Sequence, residues 1–235
     1  MNKKSIIGTA ALGLFLVLFS GAVFAQSDNS ERFQAGLHYF EIDKAPARQS
    51  DTIELTELFS YLCTHCYTFE PYIESWLQRK PDYVKFTRIP VVFGRSSWEI
   101  YARAYVTAQM MNAPPEAHTA LMDRLWKERK IMRSMEELAD FYTQFGLERG
   151  KFLSTSQSFA VDSKIRRDQQ AVQEYRIEGT PSLVLNGKYR ISGNPAVGSY
   201  DVMLDVVDFL IEKEAARIKA PAAEVATTES GEDGG

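Results

Sequence analysis

The stretch Leu58-Phe59-Ser60-Tyr61-Leu62-Cys63-Thr64-His65-Cys66-Tyr67 holds both cysteines of a 235-residue chain and one of its three histidines. An apolar, strand-like run, Asp51 to Ser60, leads into it. Beyond it Cys66, Phe69, Ile73 and Trp76 recur at three- and four-residue spacing, the core-facing stripe of a helix over about residues 64–79. Two thiols two residues apart, at the mouth of a helix, point to thiol–disulfide chemistry. The thiolate is the species that attacks and leaves. The unpaired amides and the dipole at a helix N-terminus favour an anion at Cys63. His65 can add charge or a hydrogen bond, so the Cys63 pKa is expected to lie low. Stabilising the reduced thiolate makes the disulfide form oxidising. Cys66 falls on the buried stripe. Cys63 is therefore expected to be attacked, and Cys66 to close or release.

Two competing readings of the pair are half a zinc site and an inert bridge. Zinc takes about four ligands, usually from two such pairs, and here only the scattered His38, His65 and His118 remain. An inert bridge across two residues closes a tiny loop and stabilises little. A chain of this size has core enough without it.

The compartment supports the redox reading. Lys3 and Lys4 precede an almost wholly apolar run from Ile6 to Phe24. Val23-Phe24-Ala25 then offers a small-residue cleavage site before polar Gln26-Ser27-Asp28. Residues 1–25 read as a secretory signal peptide. The competing reading, an uncleaved anchor, meets a run that approaches spanning length but is diluted by Gly8, Thr9, Gly13, Ser20 and Gly21. Export places the chain where disulfides persist. The formal charge of −4, and the lack of any Lys/Arg cluster, argue against nucleic acid as a partner.

Taken in order, Leu37 to Ile42 reads as a short strand and residues 45–50 as a connector. Asp51 to Ser60 forms the second strand and Val84 to Phe93 the third, with Pro90 marking its end or an edge. Pro71 should kink the helix between them. Residues 97–157 carry helix signals, including a capping box from Ser134 to Glu137 and a stop near Gly146. A longer helix spans Ser158 to about Arg176. Ser182–Leu185 and Lys188–Ile191 flank Asn186-Gly187, a strong hairpin signal. Tyr200 to Lys213 is a final amphipathic helix. Residues 215–235 offer little to bury and read as a disordered acidic tail. A βαβ unit and a ββα unit split by helices make an α/β fold with an all-helical insertion.

Glu57 is the odd member of a strand face made of Ile53, Leu55, Glu57 and Phe59. Kept inward it would be desolvated and its pKa raised. A local bulge would instead turn it to solvent.

Phe59-Ser60-Tyr61-Leu62-Cys63-Thr64-His65-Cys66-Tyr67-Thr68-Phe69-Glu70 resembles the active-site segment of the DsbA family of periplasmic thiol:disulfide oxidoreductases. Gly179-Thr180-Pro181-Ser182, followed by Asn186-Gly187-Lys188-Tyr189, resembles that family's cis-proline loop and hairpin. The likeness covers about residues 36–213. It implies a thioredoxin-like domain, discontinuous over 26–96 and 158–214, around a helical insertion at 97–157. It implies that Pro181 is cis and lies beside Cys63, that Thr180 offers its backbone to an extended substrate peptide, and that Glu57 handles a proton for Cys66. The expected function is a periplasmic dithiol oxidase that donates a Cys63–Cys66 disulfide to reduced or unfolded exported proteins. A DsbB-like, quinone-linked membrane protein is the expected reoxidising partner, and no metal or organic cofactor is needed. The usual Pro-His dipeptide is Thr64-His65 here, which bears on the redox potential. The competing functions are a disulfide reductase or isomerase, and a peptide-binding chaperone whose disulfide is not catalytic.

Overall fold

The computed structural model describes residues 32–43 and 52–228, the side chains of 219–228 excepted. The signal-peptide reading, the connector at 45–50 and residues 229–235 lie outside the described residues.

The sheet is built around β2 (Ile53–Phe59), whose residues are almost all buried. As the central strand it is paired along both edges. On one side runs β3 (Val84–Pro90), parallel, with Ile53 opposite Val84 and Glu57 opposite Arg88. On the other runs β4 (Ser182–Leu185), antiparallel, with Glu57 opposite Leu183. Beyond it come β5 (Tyr189–Ser192) and the two-residue β1 (Phe40–Glu41), giving the order β1-β5-β4-β2-β3. β3 is thus an edge strand, where a terminal proline such as Pro90 is tolerated.

The first strand is shorter than Leu37–Ile42. A turn with Gly36 at φ +78° and an amide bond from Gly36 to the Tyr39 carbonyl (2.8 Å) occupies its expected start. The third strand ends three residues before Phe93. The hairpin turn has positive φ at both Asn186 (54°) and Gly187 (65°), as a type I′ turn demands. The Asn186 side-chain oxygen accepts from the Glu54 amide at 2.8 Å, tying the turn to the central strand.

α1 (Thr64–Leu77), which includes Pro71, links β2 to β3. It buries Phe69, Ile73 and Trp76 against one face of the sheet and Cys66 among Phe59, Tyr61 and the helical block, as the spacing requires. The Trp76 indole donates to Asp208 at 2.7 Å and so locks α1 to α7 (Tyr200–Thr228). The opposite face of the sheet, at Leu58 and Val184, packs on Val172 and Ile177. Five helices lie between β3 and β4: α2 (Ser96–Met110), α3 (Glu116–Trp126), α4 (Met135–Tyr142), α5 (Arg149–Ser156) and α6 (Phe159–Glu174). Ser134 caps α4 through the Glu137 amide at 3.1 Å, and Gly146, in the left-handed region, ends the 3-10 turn that follows.

The expectation of a disordered tail from residue 215 is corrected over 215–228. α7 continues to Thr228. Glu214 is buried and accepts hydrogen bonds from Lys188 (2.8 Å), the Tyr189 hydroxyl (2.9 Å) and Arg217 (3.0 Å). Ala215 and Ile218 pack against the core. Alanine is the best helix former, so an Ala-rich run anchored at its start extends the helix.

Candidate active site

β2 delivers the chain to the site and a tight turn aims it. The Phe59 carbonyl accepts from the Val91 amide at 2.7 Å, and the Cys63 amide bonds back to the Ser60 carbonyl at 3.1 Å. Trp126 donates to the Tyr61 carbonyl at 2.8 Å, and the Tyr200 hydroxyl to the His65 carbonyl at 3.1 Å. Both ends of the motif are thereby clamped, one by the helical block and one by α7. Cys63 sits in the N-cap position of α1, with extended backbone (φ −103°, ψ 115°) and no side-chain cap. The first-turn amides are therefore left facing the Cys63 sulfur.

From far along the chain comes the loop before β4. The Thr180–Pro181 peptide is cis, Pro181 is buried, and the Thr180 carbonyl oxygen lies 3.3 Å from Cys63 Sγ. Ser182 holds the loop through hydrogen bonds to the Gly179 carbonyl and the Ser192 hydroxyl, each at 2.8 Å. Sequence locality offered only a proline before a strand; the fold brings it to the thiol.

The two thiols are free and unlike. Cys63 is partly exposed and its pKa is lowered to about 5. The hydrogen bond from the Cys66 thiol contributes most, and Thr180 and the amides of Cys66 and His65 add to it against the cost of burial. Cys66 is fully buried, which pushes its thiol far up, and the neighbouring Cys63 and Glu57 charges push the same way. His65 is exposed. What it gives Cys63 here is its backbone amide.

Glu57 does not bulge to solvent. β2 keeps unbroken register with both neighbours, and Glu57 is 1% exposed. Its carboxylate accepts from Arg88 Nε at 2.8 Å. Burial nevertheless raises its pKa to about 7, outweighing Arg88. Arg88 also reaches Glu70 (3.5 Å) and Glu74 (3.0 Å). Glu70 is buried too, but His118, Arg88 and the Thr119 hydroxyl overcome that burial and hold it down at about 2. Two buried carboxylates thus sit with opposite proton affinities on one guanidinium. Neither Arg88 nor Glu70 stands out as a site residue in the sequence. Glu70 carried a signal, since it stands four residues after Cys66 on the same stripe. Arg88 carried none, because only the β2–β3 register places it opposite Glu57.

The Glu57 shift sets a stability test. A carboxyl raised from 4.5 to about 7 binds more protons folded than unfolded over that interval. The parent chain should therefore lose stability there as pH rises. In the disulfide form, Glu57→Gln should match the parent near pH 4.5 and become increasingly more stable than it as pH climbs through 7. Denaturant midpoints across that range check this; a constant difference between the two proteins contradicts it.

Among the described residues, no group of three or more His, Cys, Asp and Glu is placed to hold a metal ion, and no helix is long and apolar enough to cross a membrane.

Comparison with known proteins agrees with this geometry. A family model described as a DSBA-like thioredoxin domain matches residues 98–202. The thiol:disulfide interchange protein DsbA of Pseudomonas aeruginosa is 35% identical over 217 residues, covering 92% of this chain and 99% of that protein. DsbA of Azotobacter vinelandii is 36% identical over 213 residues, covering 90% and 98%. Among solved structures, Pseudomonas aeruginosa DsbA superposes with a TM-score of 0.73 at 37% identity, covering 80% of this chain and 97% of that one. DsbA from Xylella fastidiosa gives 0.71 at 29% identity, covering 76% and 96%.

Proposed function

The chain belongs to the DsbA family of thiol:disulfide interchange proteins and is a thiol:disulfide oxidoreductase of thioredoxin fold, and on that premise we propose that it works as a dithiol oxidase whose substrates form a mixed disulfide at Cys63. The observation that carries this is the asymmetry of the pair: an accessible Cys63 that favours the thiolate beside a buried Cys66 that resists it.

The steps follow from that asymmetry. With the Cys63–Cys66 disulfide closed, a substrate thiolate attacks Cys63 Sγ, the reachable sulfur, and Cys66 leaves. Thr180 presents its carbonyl beside Cys63 and offers backbone pairing to an extended peptide. The expelled Cys66 is a buried thiolate of high proton affinity, so it takes a proton. Glu57, ionisable near neutrality and with a charge that Cys66 feels, is the group that gives it. The substrate's second thiolate then attacks the substrate sulfur of the mixed disulfide and Cys63 leaves as a stable thiolate. Because the reduced form stabilises that thiolate, equilibrium favours handing the disulfide on. His65 supports the same thiolate through its backbone amide. The redox-active group is the cysteine pair, with no metal or organic cofactor invoked.

The proposal extends to setting. The N-terminal signal-peptide pattern supports an exported, periplasmic protein acting on reduced or unfolded exported proteins. The family supports reoxidation by a DsbB-like membrane partner. The test pairs two measurements. Thiolate absorbance of the reduced protein should titrate with a midpoint at about 5. The oxidised protein, at one equivalent, should transfer its disulfide to a reduced two-cysteine peptide. A midpoint near the ordinary cysteine value of about 8.5, or no transfer, overturns the oxidase reading.

A further inference from the structure

The carboxylates Glu57, Glu70 and Glu74 outnumber the one guanidinium they share. Glu57 and Glu70 are 1% and 4% exposed, and Glu74 stands at the rim. Against three carboxylates there is one guanidinium, Arg88. The other group positioned to carry a positive charge at Glu70 is His118, 6% exposed, whose Nε2 faces Glu70 Oε2 at 3.4 Å. That approach is too poorly aligned for a hydrogen bond, and among the described residues Nε2 has no hydrogen-bond partner. Its Nδ1 is committed to the Tyr61 hydroxyl at 2.9 Å. The imidazole is held edge-on to Phe59 at 4.9 Å and Tyr105 at 5.9 Å, so it cannot turn away.

The groups that face it can be named element by element. β2 and its turn give Phe59 and Tyr61, and α1 gives Glu70 and Glu74. β3 gives Arg88, α2 gives Tyr105, and α3 gives Thr119, whose hydroxyl binds Glu70 at 3.1 Å. A cavity of about 820 Å³ is lined by His118, Tyr61, Arg88, Glu74, Tyr142 and Lys164, among others. His118 lines this cavity and neither cysteine does, while its Nε2 is itself buried on the Glu70 side.

We propose that His118 is a positioning residue for the proton of the reaction: Glu57 and His118 hold one proton between them across the Arg88–Glu70 bridge, and His118 takes one up from the cavity when Glu57 gives its own to Cys66. This rests on the proton-donor role of Glu57 stated above. The protons balance. The carboxylic acid of Glu57 and the Cys66 thiolate become a carboxylate and a thiol. Neutral His118 and a solvent proton become an imidazolium. The buried cluster keeps its net charge inward of Glu74, and Glu57 never faces Glu70 as a second uncompensated anion. Burial and Arg88 lower the His118 pKa, and Glu70 and Glu74 pull the other way.

The experiment is a paired titration by NMR, of the His118 ring and of the Glu57 carboxyl in 13C-glutamate-labelled protein. His118→Gln identifies the ring signal against His38 and His65. In the unmutated protein each group should show two steps with shared midpoints, the mark of coupled sites. Glu57→Gln mimics the protonated acid. It should collapse His118 to one step and lower its midpoint by about one pH unit, since it removes a nearby negative charge. By reciprocity the upper Glu57 midpoint should rise by as much in His118→Gln. A His118 ring that stays neutral across pH 4–9, or titrates identically with and without Glu57, overturns the inference. The pH profile of disulfide transfer separates this from the reading it rests on. If Glu57→Gln keeps the parent profile, the donor role itself fails and the proton uptake falls with it. If Glu57→Gln flattens the profile but His118 is unmoved, only the His118 inference fails.

Discussion

Cys63→Ser should abolish disulfide transfer, with any residual rate on the order of a thousandfold or more below the parent, as expected when the reacting group itself is removed. That loss alone follows for either cysteine, because neither single variant can hold the disulfide. The informative result is the difference between Cys63→Ser and Cys66→Ser when each is offered a small disulfide such as oxidised glutathione at pH 7. Cys66→Ser retains Cys63, whose pKa of about 5 leaves it almost wholly thiolate. It should form a mixed disulfide quickly and keep it, having no second thiol to resolve it. Cys63→Ser retains Cys66. Burial is the first cause of its raised pKa and survives the substitution, even though the influence of the Cys63 sulfur is gone. The remaining thiol is protonated and enclosed, and should react on the order of a hundredfold or more slowly. Serine matters as the replacement at 66. The hydrogen bond from the Cys66 side chain lowers the Cys63 pKa more than any other contact, and a hydroxyl can supply it. Cys66→Ala should therefore carry a higher Cys63 midpoint than Cys66→Ser. Mass spectrometry of the adducts and thiolate absorbance read both outcomes. Equal adduct rates for Cys63→Ser and Cys66→Ser would falsify the assignment of Cys63 as the attacked sulfur.

How much of this site could be read from the chain depends on whether the controlling contact is local. The N-cap position of Cys63 and the burial of Cys66 follow from helical spacing alone, and the structure places both there. The hairpin follows from Asn186-Gly187, whose positive φ values are a local demand. Glu57 was half legible: period two put it on the inward face, but the choice between burial and a bulge needed the register of two neighbouring strands. Those neighbours begin about 30 and 125 residues downstream. Arg88 was not legible for the same reason. His118 lies on an apolar helix face with Leu121, Met122 and Leu125, where a histidine reads as core until Glu70 is found opposite it. Composition alone ends the last helix near Lys213; what carries it on is Glu214, whose partners Lys188 and Tyr189 come from the hairpin.

Arg88→Met should be the costliest substitution for stability outside the apolar core, and its cost should depend on pH. The guanidinium is 11% exposed and is the group that Glu57, Glu70 and Glu74 share. Removing one partner of a buried pair leaves an uncompensated charge and costs about 3–5 kcal/mol. Methionine fills similar volume, so the loss reports charge rather than a void. The two carboxylates should answer differently. Glu57 already holds its proton up to about pH 7, and without Arg88 it would hold it higher still. Near neutrality it escapes the penalty by staying neutral. Glu70 is held down at about 2 by His118 and Thr119 as well as Arg88. It keeps its charge and carries most of the cost. The loss should therefore lie near the lower end of that range at about pH 5 and grow towards pH 8, where the parent's Glu57 is ionised against Arg88 but the variant's must be ionised alone or stay protonated at odds with the solvent. The double variant Arg88→Met/Glu57→Gln separates the shares. It should match Arg88→Met at low pH, and at high pH exceed it by more than Glu57→Gln exceeds the parent, an excess that additive, independent sites would not show. Arg88→Lys should recover part of the loss, since one ammonium restores the charge but cannot reach three carboxylates with a planar fork. Chemical denaturation of these proteins and of Glu57→Gln at the two pH values measures all of this, and a pH-independent loss for Arg88→Met would mean that Glu57 and Arg88 are not electrostatically joined.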